Sequence, residues 1–126
     1  MQEADLFDYL VGCCYPDLLK AKKQMSRWDC YSPDTGHRIE LKCRSVHYDT
    51  LILERKKYDA LIEKAYDNFD IPMYINYTPK GIYRFNLLKI EPIWVVKYLK
   101  KTTTFSENNR IPKEIALLPV IDADIL

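Results

Sequence analysis

Asp29, Glu40 and Lys42 are two acids and an ammonium group spaced so that one β-hairpin would gather them on a single face. The segment from residue 27 to residue 44 reads as two strands, 26–32 and 37–44, around a Pro33-Asp34-Thr35-Gly36 turn. Pro33 presets φ for the first turn position, and Gly36 accepts the positive φ that closes a four-residue loop. With Ser32 and His37 flanking the loop, Tyr31 falls opposite Arg38, Cys30 opposite Ile39 and Asp29 opposite Glu40, and Arg27 faces Lys42. Side chains alternate with period two. One face therefore carries Trp28, Cys30, Ile39, Leu41 and Cys43, and the other Arg27, Asp29, Tyr31, Arg38, Glu40 and Lys42. Carboxylates directly across a ladder have Cβ atoms about 4.5–5.5 Å apart and repel unless positive charge lies between them.

A hard divalent cation answers that repulsion. Mg²⁺ prefers oxygen ligands and keeps several waters, with one or two carboxylates as its usual protein partners. Asp29, Glu40 and the backbone carbonyl of Leu41 supply such a set. A cation there polarises a phosphodiester and acidifies water, while Lys42 holds that water and offsets charge in the transition state. Glu3 is a further candidate ligand, direct or through water. The competing reading is a solvated hairpin face, with Arg27 paired to Glu40 and Asp29 to Arg38 or Lys42. Such cross-strand pairs contribute about 0.2–1 kcal/mol each.

The elements that must position these groups are legible in outline. Residues 3–14 place Glu3, Leu6, Phe7, Leu10 and Cys14 on one helical stripe, with Asp5 and Asp8 opposite. Pro16 to Gln24 is either a further helical turn or the lead-in to a strand, and Ser45 to Thr50 reads as a loop. Residues 53–69 form an amphipathic helix with Tyr58, Leu61, Ile62, Ala65, Tyr66 and Phe69 along its apolar side. Met73–Thr78 and Ile82–Leu88 form a second hairpin around Pro79-Lys80-Gly81, and Ile93–Tyr98 another strand. Lys100 to Lys113 is polar and loop-like. Ile115 to Ile121 reads as an edge strand or a packing tail.

The hairpin with Asp29, then Glu40-x-Lys42 eleven residues on, a preceding helix with an inward Glu3 and a following amphipathic helix resemble the PD-(D/E)XK nuclease superfamily. The resemblance covers roughly residues 1–78. It departs from the family pattern in that Trp28 rather than Pro precedes Asp29, while the literal Pro33-Asp34 belongs to the turn. The resemblance implies an α/β (α+β) fold with an αβββαβ-type core, a mixed central sheet flanked by helices, and extra C-terminal strands. It implies Mg²⁺- or Mn²⁺-dependent cleavage of DNA or RNA, with Glu3, Asp29, Glu40 and Lys42 as catalytic residues. The small size resembles phage or mobile-element nucleases and junction resolvases. Arg27, Arg38, Arg44, Lys56 and Lys57 are the candidate phosphate contacts. A structure-selective activity requires a homodimer, because symmetric cutting of two strands needs two sites; Ile115–Ile121 is the candidate interface. The alternatives are a non-catalytic nucleic-acid- or protein-binding member of the same fold, and a small interaction protein with a charged hairpin face.

Composition bounds the rest. The chain has 126 residues, 48% hydrophobic and 29% charged, with net charge +1. One globular domain is expected, with a core over about 1–99 and an extension over about 100–126. Nucleic-acid contact must come from a local patch rather than bulk positive charge. No run of about 18 apolar residues suggests a membrane span, and the acidic start lacks a signal-peptide layout. Cys13, Cys14, Cys30 and Cys43 suggest neither a zinc ribbon nor a disulfide framework. Cys30 and Cys43 are expected as core thiols, in a reducing cytoplasm, such as a phage host's. Three glycines leave no nucleotide-cradling loop.

Overall fold

The computed structural model describes residues 1–21, 28–101 and 109–126. The chain opens with helix α1 (Glu3–Cys13). Its first turn is closed by Asp5, whose carboxylate accepts the Gln2 backbone N–H at 2.9 Å. Leu6 and Leu10 lie on the predicted stripe and are fully buried. Cys13 and Cys14 form a disulfide between neighbours, which closes no loop. The ambiguous segment after Pro16 contains a short strand, β1 (Leu19–Lys20), while residues 22–24 lie outside the described residues.

The hairpin forms as the spacing predicts, from β2 (Asp29–Ser32) and β3 (His37–Cys43), in the register Asp29↔Glu40, Cys30↔Ile39, Tyr31↔Arg38, Ser32↔His37. Gly36 takes φ 72° and donates its N–H to the Ser32 carbonyl at 2.9 Å. Asp17 pins this turn, accepting the Ser32 hydroxyl at 2.7 Å and the Asp34 N–H at 2.8 Å. Those two bonds hold the Asp17 carboxyl below its ordinary value.

After the hairpin come β4 (Thr50–Glu54), α2 (Arg55–Asn68), β5 (Ile71–Thr78) and β6 (Gly81–Asn86). β7 (Val95–Lys100), β8 (Arg110–Pro119), a 3₁₀ turn (Val120–Asp122) and β9 (Asp124–Ile125) complete the chain. The central sheet runs β1-β2-β3-β5-β6-β9, with β3 and β5 parallel and the remaining pairs antiparallel. A parallel pair needs a crossover, and β4 with α2 supplies it. The fold is thus a mixed α+β arrangement around a mixed sheet with two helices. A second, antiparallel sheet runs β4-β8-β7.

The two faces of the central sheet have separate cores. Leu6 and Leu10 of α1 pack with Cys30, Ile39, Leu41, Met73 and Ile75. On the other side Tyr74, Phe85 and Leu87 meet Leu61 of α2 and Leu51, Leu53, Ala116 and Leu118 of the second sheet. Cys30 is a core thiol as expected, its pKa pushed up to about 12 by burial; Cys43 is only half-buried.

Four expectations change. Lys100 and Arg110 to Lys113, read as loop, belong to β7 and β8. β4 takes residues read as loop end and helix start, so α2 begins at Arg55. Ile115–Ile121 is not an edge: β8 is the middle strand of the second sheet, with Ile115, Ala116 and Leu118 buried. That burial takes Ile115, Ala116 and Leu118 out of the proposed dimer interface, while Leu117 and Ile121 stay exposed. The apolar side of α2 is also narrower than its sequence suggests. Leu61 and Ala65 are buried, but Tyr66 is 82% and Phe69 97% exposed. Phe69 lies past the last helical residue, as a left-handed cap with φ 57°.

Candidate active site

On the face of the hairpin away from α1, Asp29 and Glu40 stand directly opposite one another, their side chains only 14% and 16% exposed. Glu40 carries the consequence. Burial first, then a hydrogen bond with the Asp29 carboxyl, then the Asp29 charge push its pKa well above the ordinary carboxylate range. Lys57 and Lys42 pull it back only in part. Glu40 is therefore held toward its protonated form where no cation intervenes, as burial beside a like charge dictates.

Two lysines of α2 stand over the acids. Lys57 Nζ is 3.7 Å from Glu40 Oε1, and Lys64 Nζ is 3.7 Å from Asp29 Oδ2. Both separations exceed hydrogen-bond length, so neither acid is locked to its lysine. Lys57 and Lys64 are two helical turns apart and project on one side of α2. Lys42 follows Glu40 on the same face of β3. Its pKa is lowered by desolvation and by Arg44 and Lys57, while Glu3 and Glu54 pull it up.

Glu40, Leu41, Lys42 and Lys57 open into a groove of about 1150 Å³. Glu3, at the start of α1, is half-buried on its wall. It acts on Lys42 electrostatically rather than joining Asp29 and Glu40. Among the described residues no three His, Cys, Asp or Glu side chains converge as a ready-made metal cluster. The donor set that does converge is two carboxylates with Leu41 beside them. This all-oxygen chemistry fits a hard cation such as Mg²⁺ or Mn²⁺. Such an ion would supply the positive charge that the buried Glu40 carboxylate lacks.

The predicted phosphate contacts divide. Lys57 reaches the site, and Lys56 is exposed on the same helix. Arg38 is buried and committed to Asp70, donating from Nε at 2.9 Å and Nη2 at 2.7 Å, with its guanidinium 4.6 Å from the Tyr31 ring centre. Arg44 borders the groove, yet it donates to the Asn76 side chain at 3.1 Å, the Ile52 carbonyl at 2.6 Å and the Tyr74 hydroxyl at 2.9 Å. These two arginines are internal struts rather than free phosphate contacts. Arg27 lies outside the described residues. His37 and His47 serve local bonds, to Tyr15 at 2.7 Å and Thr78 at 2.8 Å.

Sequence reasoning missed Lys64, Glu54, Arg110 and Lys113. The seven-residue spacing from Lys57 was a usable signal for Lys64. The others reach the groove through β4 and β8, whose pairing bridges distant parts of the chain.

No family model matches the chain, and no characterised protein matches it by sequence. Among solved structures it is similar to Hjc, a Holliday junction resolvase of Archaeoglobus fulgidus, with a TM-score of 0.55. The match covers 90% of this chain and 80% of that one, at 15% identity. At that identity the likeness is one of fold.

Proposed function

We propose that this chain is a divalent-metal-dependent DNA endonuclease of the PD-(D/E)XK type, selective for branched DNA. The observation that carries the reading is the Asp29–Glu40 pair, in register and largely buried, with Glu40 and Lys42 lining a groove. The fold shared with a junction resolvase supports it and points to branched substrates. Asp29, Glu40 and the Leu41 carbonyl would hold Mg²⁺ or Mn²⁺. When bound, such an ion supplies positive charge against the phosphodiester and acidifies water. Lys42 is placed to hydrogen-bond the attacking water and to offset charge gathering on the phosphorus oxygens. Lys57 and Lys64, released from the acids, turn toward phosphate. Glu3 tunes Lys42 and is an outer ligand through water at most. Symmetric cutting of a junction calls for two copies of the chain related by a two-fold axis.

The test is cleavage of a four-way junction and a matched linear duplex in Mg²⁺, with RNA of the same sequence as comparison. Asp29→Asn, Glu40→Gln and Lys42→Ala should each abolish cutting, a loss of a hundredfold or more. Cutting that survives Asp29→Asn or Glu40→Gln sinks the assignment. The two α2 lysines standing over the acids favour a second reading, a non-catalytic DNA-binding member of the fold. In that case junction binding persists, no substrate is cut in Mg²⁺ or Mn²⁺, and Lys57→Ala with Lys64→Ala weakens binding.

A further inference from the structure

The ribbon formed by β7 and β8 sets Lys97 directly across from Lys113, and Lys100 directly across from Arg110. Like charges in directly opposed positions destabilise an antiparallel ladder. One cation of the first pair is offset, since Lys113 Nζ lies 2.8 Å from Glu54 Oε1. The second pair has no such relief among the described residues. Lys100 and Arg110 are exposed, and neither has an acidic partner among the described residues. Two acids of the described residues close to the ribbon are engaged elsewhere: Glu114 faces Arg55 at 3.2 Å, and Glu54 faces Lys113. Lys100 and Arg110 line the same groove as Glu40, Lys42 and Lys57. Two acids forced together call for a cation; by the same reasoning two bases forced together call for an anion.

We infer that Lys100 and Arg110 form a clamp for the phosphate backbone of DNA, outside the reacting centre. The inference rests on the nuclease reading for its choice of polymer. A groove of about 1150 Å³ with separate cationic stations at Lys42, Lys57 and the ribbon exceeds the reach of one small anion. A chain of regularly spaced phosphates occupies several stations at once. The contact carries no base information, because phosphate contacts position the protein without reading sequence.

The experiment measures binding of a duplex-armed junction in EDTA over a range of salt concentrations, for wild type and for Lys100→Ala/Arg110→Ala. Each lost phosphate contact lowers the slope of log K against log salt by about one, so the double variant should be shallower by about two. Lys100→Arg/Arg110→Lys keeps both charges and should keep the slope. Lys89→Ala, in a different cavity, should also leave it unchanged. Thermal melts confirm that each variant is folded. An unchanged slope in the double alanine variant overturns the clamp, as does a wild type with no salt-dependent binding. Cleavage in Mg²⁺ is assayed alongside. A wild type that cuts while the double variant keeps its slope removes the clamp alone. A wild type that never cuts but loses slope in the variant removes the nuclease reading and leaves the clamp as a DNA contact.

Discussion

At the scale of single residues, Glu40 is where folding and function oppose each other. Its carboxyl is pushed up mainly by burial and by Asp29, so the metal-free native state holds a proton that the unfolded chain releases. An acid shifted in this direction makes the native state the more protonated one between the ordinary carboxylate value and about 8. Stability then falls as pH rises through that window. Glu40→Gln has no proton to lose. In EDTA at pH 8 it should be more stable than wild type by about 1–3 kcal/mol, and at pH 4 nearly equal to it. Chemical denaturation at the two pH values measures this, and a constant difference between the proteins across pH would refute it. Arg38 presents the opposite case. Arg38→Ala strands Asp70, which is only 16% exposed, and should cost about 3–5 kcal/mol. Urea unfolding reads that loss, and a variant as stable as wild type would show the pair to be incidental.

At the scale of elements, Arg44 ties the end of β3 to β4 and β5 through Ile52, Tyr74 and Asn76. Arg44→Ala removes the donor to the Asn76 amide oxygen on a fully buried residue. Orphaning a buried acceptor costs about 1–3 kcal/mol, whereas replacing both partners by apolar groups is far milder. Arg44→Ala should therefore lower stability, and Arg44→Ala/Asn76→Val should recover part of the loss. A variant that lost only DNA affinity, with its melting point intact, would return Arg44 to the surface contacts. This strut also marks where sequence stops being informative. The β2–β3 hairpin was legible down to its register because alternation sorted acids from apolar residues and the turn chemistry fixed the loop. β5 and β6 were legible as a hairpin but not in their register, since Gly81 belongs to β6, where it pairs with Thr78, rather than to the turn. β4 was not legible: Leu51, Ile52 and Leu53 run straight into the helix, and only pairing with Leu118, Leu117 and Ala116 makes them a strand. β8 was read as an edge strand or a tail for the same reason, since an apolar run does not state how many neighbours it has. The Asp29–Glu40–Lys42 face was accessible to local reasoning; Lys100 was legible only as part of a basic run, and its pairing with Arg110 was not, because long-range pairing builds it.

At the scale of the whole molecule, the groove draws on the start of α1, the end of β3, the start of α2 and the β7–β8 ribbon. A ligand that binds only the folded state therefore acts on global stability, by RT ln(1 + [L]/Kd). At a hundredfold excess over Kd that is about 2.7 kcal/mol, a rise in Tm on the order of 10 °C for a domain of this size. The acids must be deprotonated to serve as ligands, and Glu40 begins with its proton held. Mg²⁺ or Mn²⁺ should accordingly raise Tm more at pH 8 than at pH 6, while the metal-free protein loses stability over the same interval. The two slopes have opposite signs because they count the same proton, held by the empty site and expelled from the loaded one. Differential scanning fluorimetry across pH, with and without the ion, separates this from nonspecific screening, which would act alike in Asp29→Asn. A Tm rise that persists in Asp29→Asn, or that shrinks as pH rises, would place any bound cation elsewhere on the protein.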